Sequence, residues 1–588
     1  MHRCYLPLII AFFTLPLIAQ EPLCSVNPRP THPTDKTEIK VDALFSIAAP
    51  TGYLPVRITA VNQQKSGGQI TVNTSSTSGP QDDDSRVTSE FSFPVAEESV
   101  STHDLLVPLT TVLGDGRLSS GSTVELVIGG SFGRNEGNLH SNFGDEAAAV
   151  MMSEKLHTPN ASILDAELNR RHSGSSRPTF AGRFDPLRMP EDWRAYSGYD
   201  AFLMTDDDWN KLGAGARNAI LQWCRLGGEL VIYRLNSSSN YASLGIDSDG
   251  DSFGYGTIRL ESIRATLALD APKLVNHFLK APTIPPQNKS IRNDYSGAWP
   301  LHGSFGAQKF AYGIFIVVLI GFGILVGPVN LFVFAKSGMR HKLFITTPII
   351  SLATSALLIL LILLKDGTGG RGERIALIEV RPDSGENNAY VIQEQISRTG
   401  VLLGASFSLD EAAAITPVPI SDSAWARLNR SNEGGGMRYT ANFDDGKLAV
   451  TGDWFQSRSE QGQLIRSVIP TRGRIEIKSS GGTPILLSTF DFPIESIYYT
   501  DRSNGYWLAS DLKPGNKVTC TPISEREFKN AIGDQSTRFG ERNRRTLNLA
   551  STRPDHYVAI ATEAPAVETI DSIDWSRTHT ILTGPVLR

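Results

Sequence analysis

Few residues in this chain combine the types and the spacing that chemistry demands. Gly129-Gly130-Ser131-Phe132-Gly133 matches G-x-S-x-G and follows an apolar run, Val124–Ile128. A nucleophile elbow needs a helix to begin at once, so that its first N–H groups meet the developing charge. Here Arg134–Gly144 intervenes, and Ser131 reads as a loop residue. His140 and His157 stand near it in sequence and leave an extracytoplasmic hydrolase or transferase as the alternative. Cys224 lies late in a helical pattern on its apolar side, the setting of a buried core thiol. Asp247, Asp249 and Asp251 alternate as in calcium loops, yet Ser252 and Ile258 stand where an EF-hand needs Gly and Glu. Asp82, Asp83 and Asp84 read as a solvated turn between strands. Neither a His-x-Glu pair nor a Cys-His zinc spacing occurs. The sequence therefore assigns no catalytic, cofactor-binding or metal-ligating residue, and it calls for no cofactor.

The elements around these residues explain more than the residues do. Ala311–Phe334 and Leu343–Leu364 are uncharged, and each is long enough for a helix to cross a hydrocarbon core about 30 Å thick. A short basic turn with Lys336, Arg340 and Lys342 joins them. Only helices and closed barrels satisfy their backbone inside lipid, so a two-helix hairpin is expected at 310–335 and 343–364, with 336–342 as a cytoplasmic turn. Equal distance from the turn predicts Asn330 opposite Thr346 or Thr347, and Pro328 level with Pro348. Gly323 and Gly327 predict a small-residue packing face.

Met1–Gln20 has a basic start and an apolar run and reads as a signal peptide over 1–20. Export places both large regions outside the cytoplasm, in the bacterial inner membrane with two passes. A net charge of −5 on 588 residues, spread along the chain, excludes a nucleic-acid footprint. Alternating patterns over 36–120 predict a β-sandwich. The region 122–281 reads as α/β: strands at Val124–Ile128, Ala201–Met204 and Glu229–Tyr233, with helices at Asp145–Leu156 and Asp206–Leu226. Residues 374–588 read as β-sandwich material with strands at Ile375–Val380, Ala389–Gln393, Val401–Leu409 and beyond, Trp425 and Trp454 among its core residues, and Arg538–Arg545 as a solvated basic loop. Of the four cysteines, Cys24, Cys224 and Cys520 remain after the leader, enough for one disulfide at most.

Pro190–Tyr233, with Trp193, Tyr196, Asp200, Trp209, Leu212, Trp223, Gly227 and Gly228, resembles the amidotransferase-like (flavodoxin-like) domain of uncharacterised bacterial membrane proteins. In those proteins the domain precedes a membrane hairpin with a Gly-Pro-x-Asn element, matched here by Gly327, Pro328, Val329 and Asn330. The resemblance implies architecture and location, and AAA-type ATPase or von Willebrand-type proteins as partners. It transfers no catalytic residue, because the turn Met204-Thr205-Asp206 has no cysteine. The expectation is a non-enzymatic, membrane-anchored scaffold or binding component. Its partners would be the bilayer, envelope proteins and a possible second copy, with the hairpin as a tether between two outer regions.

Overall fold

The computed structural model describes residues 22–28, 36–77, 85–110, 123–143, 147–171, 177–248, 250–280, 282, 284–294, 299–306, 312–335, 337–382, 387–409, 412–418, 420, 438–444, 447–478, 482–562 and 564–588. The leader, Asp82–Asp84, Asp249 and Trp425 lie outside these residues.

The first unit comprises β1 (Cys24–Val26), β2 (Glu38–Ala43), β3 (Tyr53–Asn62), β4 (Gly68–Thr77), β5 (Arg86–Val95), β6 (Ser99–Pro108), β7 (Thr123–Gly130) and β8 (Asn135–His140). They form two sheets, β1-β2-β3-β6 and one containing β5-β4-β7-β8, whose alternate residues (Val41, Val56 and Ile58; Ile70, Val72 and Leu126) share a core. Val124–Ile128 therefore does not open the α/β unit. It lies in β7, antiparallel to β4 from Thr123↔Thr77 to Gly130↔Ile70. Its burial alternates, as a half-covered strand requires, with Glu125 exposed between Val124 and Leu126.

The second unit contains β9 (Val150–Ser153), α1 (Glu154–Arg171), β10 (Ala181–Phe184), β11 (Ala201–Thr205), α2 (Asp206–Lys211), α3 (Ala214–Arg225), β12 (Glu229–Arg234), β13 (Ser252–Phe253), β14 (Gly256–Ser262) and α4 (Ala271–Lys280). Strands β10-β9-β11-β12-β14 run parallel in that order. Successive residues feed opposite faces. Val150, Leu203 and Val231 pack with α1 and α4, whereas Met151, Phe202 and Ile232 pack with Trp209, Ile220 and Trp223. The helix expected at Asp145–Leu156 is instead strand β9 followed by α1. A short apolar run with helices on both sides of its sheet is buried on every residue, so periodicity alone could not separate strand from helix. The single helix expected over Asp206–Leu226 is two, because Leu212 and Gly213 are extended. Arg217 donates to the carbonyls of Leu212 (3.1 Å) and Asn210 (3.0 Å), which stabilises the break.

After α5 (Gln287–Asp294) and α6 (Pro300–Phe305) comes the hairpin, α7 (Tyr312–Ile324) running on as a π-helix over Leu325–Phe334, and α8 (Leu343–Asp366). Both helices are long and apolar enough to cross a membrane, and neither is a core helix, since large apolar side chains such as Val317, Phe332, Phe344 and Leu352 stand exposed along them. Asn330 meets both predicted partners, donating to Thr347 Oγ1 (2.9 Å) and accepting from Thr346 Oγ1 (2.5 Å). The glycine face is a correction. A Cβ on Gly323 or Gly327 would touch nothing within 4 Å, so these residues do not pack against α8.

The remainder consists of β15 (Gly370–Arg381), β16 (Asn388–Thr399), β17 (Phe407–Leu409), β18 (Ala412–Val418), β19 (Arg438–Asp444), β20 (Lys447–Gly452), β21 (Glu460–Pro470), β22 (Ile475–Ile477), β23 (Ile485–Ser488), β24 (Ile494–Thr500), β25 (Tyr506–Leu512), β26 (Lys517–Thr519), β27 (Thr521–Ile523), β28 (His556–Ala561) and β29 (Ile573–Pro585). Nine of these strands make one sheet, β18-β21-β16-β15-β29-β28-β24-β25-β27, with β15 and β29 parallel and the other neighbours antiparallel. Of Val401–Leu409 only the last three residues are strand; Leu403 is 93 % exposed. Strands β17, β20 and β19 leave this region and extend the first unit's sheet, β19 lying parallel to β5 at Arg438↔Arg86. The two large regions are thus interlocked, and the hairpin is a loop out of one body instead of a tether between two.

The Arg538–Arg545 segment is a further correction. Glu541–Ser551 is a helix, and its Arg542 is buried. Arg542 Nη1 pairs with Asp200 Oδ1 at 2.9 Å, and Nη2 donates to Gly227 O at 3.0 Å. Asp200 also accepts the N–H groups of Ala149 (3.0 Å) and Gln287 (2.9 Å). Removing one partner of such a buried pair strands a charge. Arg542→Met is expected to lower stability by about 3–5 kcal/mol, with partial recovery in the double variant Asp200→Asn/Arg542→Met. Thermal unfolding of the full chain in detergent measures both, and a single-variant loss below about 1 kcal/mol would count against the pair. In the hairpin, Asn330→Ala should cost about 0.6–1.7 kcal/mol of helix association, read by reversible unfolding in bicelles.

Candidate functional site

The parallel order reverses its winding between β9 and β11, and open α/β sheets present ligand crevices outside the strand carboxyl ends at such a point. The polar groups there serve each other. Asp208 Oδ2 accepts from Ser153 Oγ (2.7 Å) and Thr205 Oγ1 (2.8 Å), and Asp208 N donates back to Thr205, closing a capping box. Asp206 accepts from Leu235 N, Asn236 N, Asp207 N and Ser239 Oγ. Burial would raise its carboxyl; these donors outweigh that and hold it below the usual aspartate range. Lys155 pairs with Asp207 at 2.8 Å. The crevice is closed by its own carboxylates.

The candidate nucleophiles are not assembled. Ser131 sits in the β7–β8 turn and accepts from Gln69 N at 3.0 Å. His140 lies at the other end of that ladder, paired with Thr123, about 17 Å of strand away from the Ile128↔Asn135 end. His157 belongs to α1 in the other unit, its imidazole lowered by burial. Cys224 is wholly buried in α3, and burial raises its thiol well above the usual value. Burial likewise pushes Cys24 and Cys520 up to about 11, and all three are free thiols. Asp251 accepts the Tyr241 hydroxyl at 2.9 Å. Among the described residues no group of three His, Cys, Asp or Glu side chains could hold a metal.

What the fold does open is a cleft of about 500 Å3 between the first sheet and the α/β unit. Its floor is Pro55, Arg57, Asp104, Leu105 and Leu106, and its far wall is the Pro186–Asp192 segment with the start of α3. Arg57 is held in a two-pronged pair with Asp104 (2.6 and 2.7 Å). Glu191 lies over the first turn of α3, where a Cβ on Gly215 would meet its carboxyl carbon at 2.5 Å. The cleft thus combines apolar side chains with fixed charges, and none of its lining residues is a serine, cysteine or histidine.

Sequence reasoning also missed a buried charge cluster where the α/β unit meets the nine-stranded sheet. Glu379 pairs with Arg553 (3.2 Å) and faces Arg225 and Arg381. Arg225 lies over the ring of Phe253 at 4.1 Å. Burial alone would raise Glu379; Arg553, Arg225 and Arg381 outweigh it and keep the carboxyl below its usual range. The packing beside Gly254 is tight, for a Cβ there would meet Glu379 Oε2 at 2.5 Å and Arg225 Cα at 2.6 Å. The cluster is a structural tie. Paired i,i+4 charges such as Glu541–Arg545 were the signal that could have found the neighbouring helix.

No family model matches the chain, and no curated protein matches it. Among solved structures, CsgH of R. palustris is 14 % identical over 17 % of this chain and 91 % of its own, with a TM-score of 0.12. A Paenibacillus cycloisomaltooligosaccharide glucanotransferase is 10 % identical over 35 % of this chain and 29 % of its own, at 0.17. Spo0M of Bacillus subtilis is 10 % identical over 18 % of this chain and 50 % of its own, at 0.13. Likenesses this weak leave the reading to the geometry above.

His556 beside the cluster sets a pH dependence. Its Nδ1 hydrogen-bonds Pro554 O at 2.8 Å, while Nε2 is buried without a partner. Burial, then Arg553, push its pKa down to about 4; burial does the same to His579. The unfolded chain binds these protons near pH 6.5 and the folded chain does not, so stability falls as pH drops from about 6.5 towards 4. Each site adds a slope of at most about 1.4 kcal/mol per pH unit. A Tm series from pH 7 to 4 should fall more steeply for the native chain than for His556→Gln.

Proposed function

We propose that this chain is a non-enzymatic, membrane-anchored protein of the bacterial cell envelope, acting as a scaffold or binding component through its extracytoplasmic body. The observation that carries the reading is a single interlocked body from which two exposed apolar helices emerge, bearing a ligand-sized cleft and, among the described residues, no assembled nucleophile. The α/β unit reads as flavodoxin-like and amidotransferase-like. Numbered along the chain, its parallel strands run 2-1-3-4-5, with helices on both faces. The hairpin reads as a two-pass anchor in the inner membrane, its partner the bilayer. Arg340, His341 and Lys342 at the tip favour a cytoplasmic turn, which puts both large regions on the outer side. Envelope proteins are the partners, and a second copy is a further one.

Two measurements test this. Crosslinking in intact cells should recover envelope proteins with the full chain, and a full chain that recovers none is no scaffold. Ser337→Cys in the turn should resist an impermeant maleimide in spheroplasts, whereas Ser503→Cys in the exposed β24–β25 turn should react; the buried native thiols keep the background low. The reverse pattern would overturn the orientation.

A further inference from the structure

Strand β6 ends its sheet, and the pattern of its backbone bonds says which groups it offers. Leu44 N donates to Pro55 O at 3.0 Å, so the Pro55 carbonyl points to β2, away from β6. In an antiparallel ladder a residue's N–H and C=O point the same way. Pro55↔Leu106 is therefore a non-hydrogen-bonded pair, as are Arg57↔Asp104, Thr59↔Thr102 and Val61↔Val100. Leu23 N donating to Val41 O, away from β3, fits the same alternation. Val100, Thr102, Asp104 and Leu106 thus turn their backbone groups outward, and among the described residues no backbone group meets them.

Edges of this kind invite pairing unless a protein blunts them with lysine, proline or a bulge. Strand β6 pairs with β3 over ten residues without a register shift, and it carries no lysine and no proline but Pro108 at its end. Val100 is 71 % exposed. The opposite seam of the same two sheets is closed, with Asn135 Nδ2 donating to Ser25 O. The cleft runs against this edge: Asp104, Leu105 and Leu106 line it in succession, and successive side chains point to opposite faces, so the strand's flank is itself presented. Its charged lining is one guanidinium, Arg57, against Asp104, Glu191 and Asp192. Arg57 is matched by Asp104 and Asp192 by Arg194, which leaves the charge of Glu191 in excess.

We propose that the outer edge of β6 takes an extended segment of a partner protein as an added strand, with a lysine or arginine of that segment reaching Glu191 in the cleft. Main-chain bonds give such complexes their affinity and the side-chain pocket gives them their choice of sequence. The inference rests on the binding-component reading above and names its ligand class.

The probe is a set of eight-residue peptides alternating valine and threonine, with a central Arg, Ala or Glu, titrated by fluorescence anisotropy against the full chain in detergent. The Arg peptide should bind at least fivefold tighter than the Glu peptide, and Glu191→Gln should remove that preference without abolishing binding. Thr102→Pro deletes one outward N–H and spares the ladder to β3. It should weaken binding at least tenfold, while Thr102→Ala stays within twofold. If Thr102→Pro lowers the Tm sharply, Val100→Lys on the exposed edge replaces it, with the same loss expected. No binding by any peptide, or equal binding by Thr102→Pro and Thr102→Ala, would overturn the proposal. So would a native dimer that Thr102→Pro converts to monomer, because the edge would then belong to a second copy. Crosslinked envelope proteins unchanged in Thr102→Pro would reject the edge and leave the broader reading standing; their absence from the native chain would reject both.

Discussion

The structure turns on the buried carboxylate of Asp200. It gathers Ala149 N, just ahead of β9, Gln287 N at the start of α5, and the guanidinium of Arg542, which itself bridges to Gly227 O and Pro285 O. Residues about 340 positions apart meet there, with side chains 8 % and 9 % exposed. A carboxylate taken out of water is tolerable only when charge and donors surround it. Every segment that supplies a donor is therefore fixed relative to the strand that Asp200 precedes. The consequence is specific: the α/β sheet, the helices leading to the hairpin and the C-terminal helix cannot move apart without exposing an unpaired charge.

That constraint explains how the hairpin is seated. Trp299 Nε1 donates to Glu394 Oε2 at 2.7 Å and Ser304 Oγ to Glu373 Oε2 at 3.1 Å, so the chain entering the hairpin rests on the strands that follow it. Arg398 pairs with Glu460 and lies over Phe305 at 4.6 Å, adding a third contact at the same base. The exchange of β17, β19 and β20 into the first unit's sheet fastens the far end. Asn442 Oδ1 accepts from Glu90 N at 3.0 Å across that join. A body closed in this way transmits little flexing between its halves.

The sequence was most legible where one force acts alone. The two apolar spans, Ala201–Met204, Glu229–Tyr233 and the β24–β25 hairpin with Asn504 at φ +59° all follow from local pattern or turn chemistry. It failed where distant partners decide. Val150–Ser153 carries the same apolar run a helix would, and only its neighbours β10 and β11 make it a strand. Val124–Ile128 has strand character wherever it is placed, so its membership in the sandwich depended on β4. Arg542 looked solvated because its partner stands in another unit, and no local signal marks a charge whose counter-ion is hundreds of residues away. The cleft was invisible for the same reason, since its floor and wall come from separate units.

The hairpin shows how a local rule and a long-range one can reinforce each other. Proline has no N–H, and inside an α-helix its ring collides with the carbonyl four residues back. Around Pro328 the helix widens to i→i+5 pairing over Leu325–Phe334, ending with Ala335 N on Asn330 O at 2.9 Å. Widening of this kind relieves the collision that a tighter helix would carry and changes the rotation of the residues that follow. Asn330, two positions on, is thereby fully buried and turned onto α8. Its amide spends both polar ends on Thr346 and Thr347. Gly323, ahead of the widening, and Gly327, within it, stay on the open side, where they neither clamp the hairpin nor obstruct it. The proline sets the geometry and the asparagine locks it.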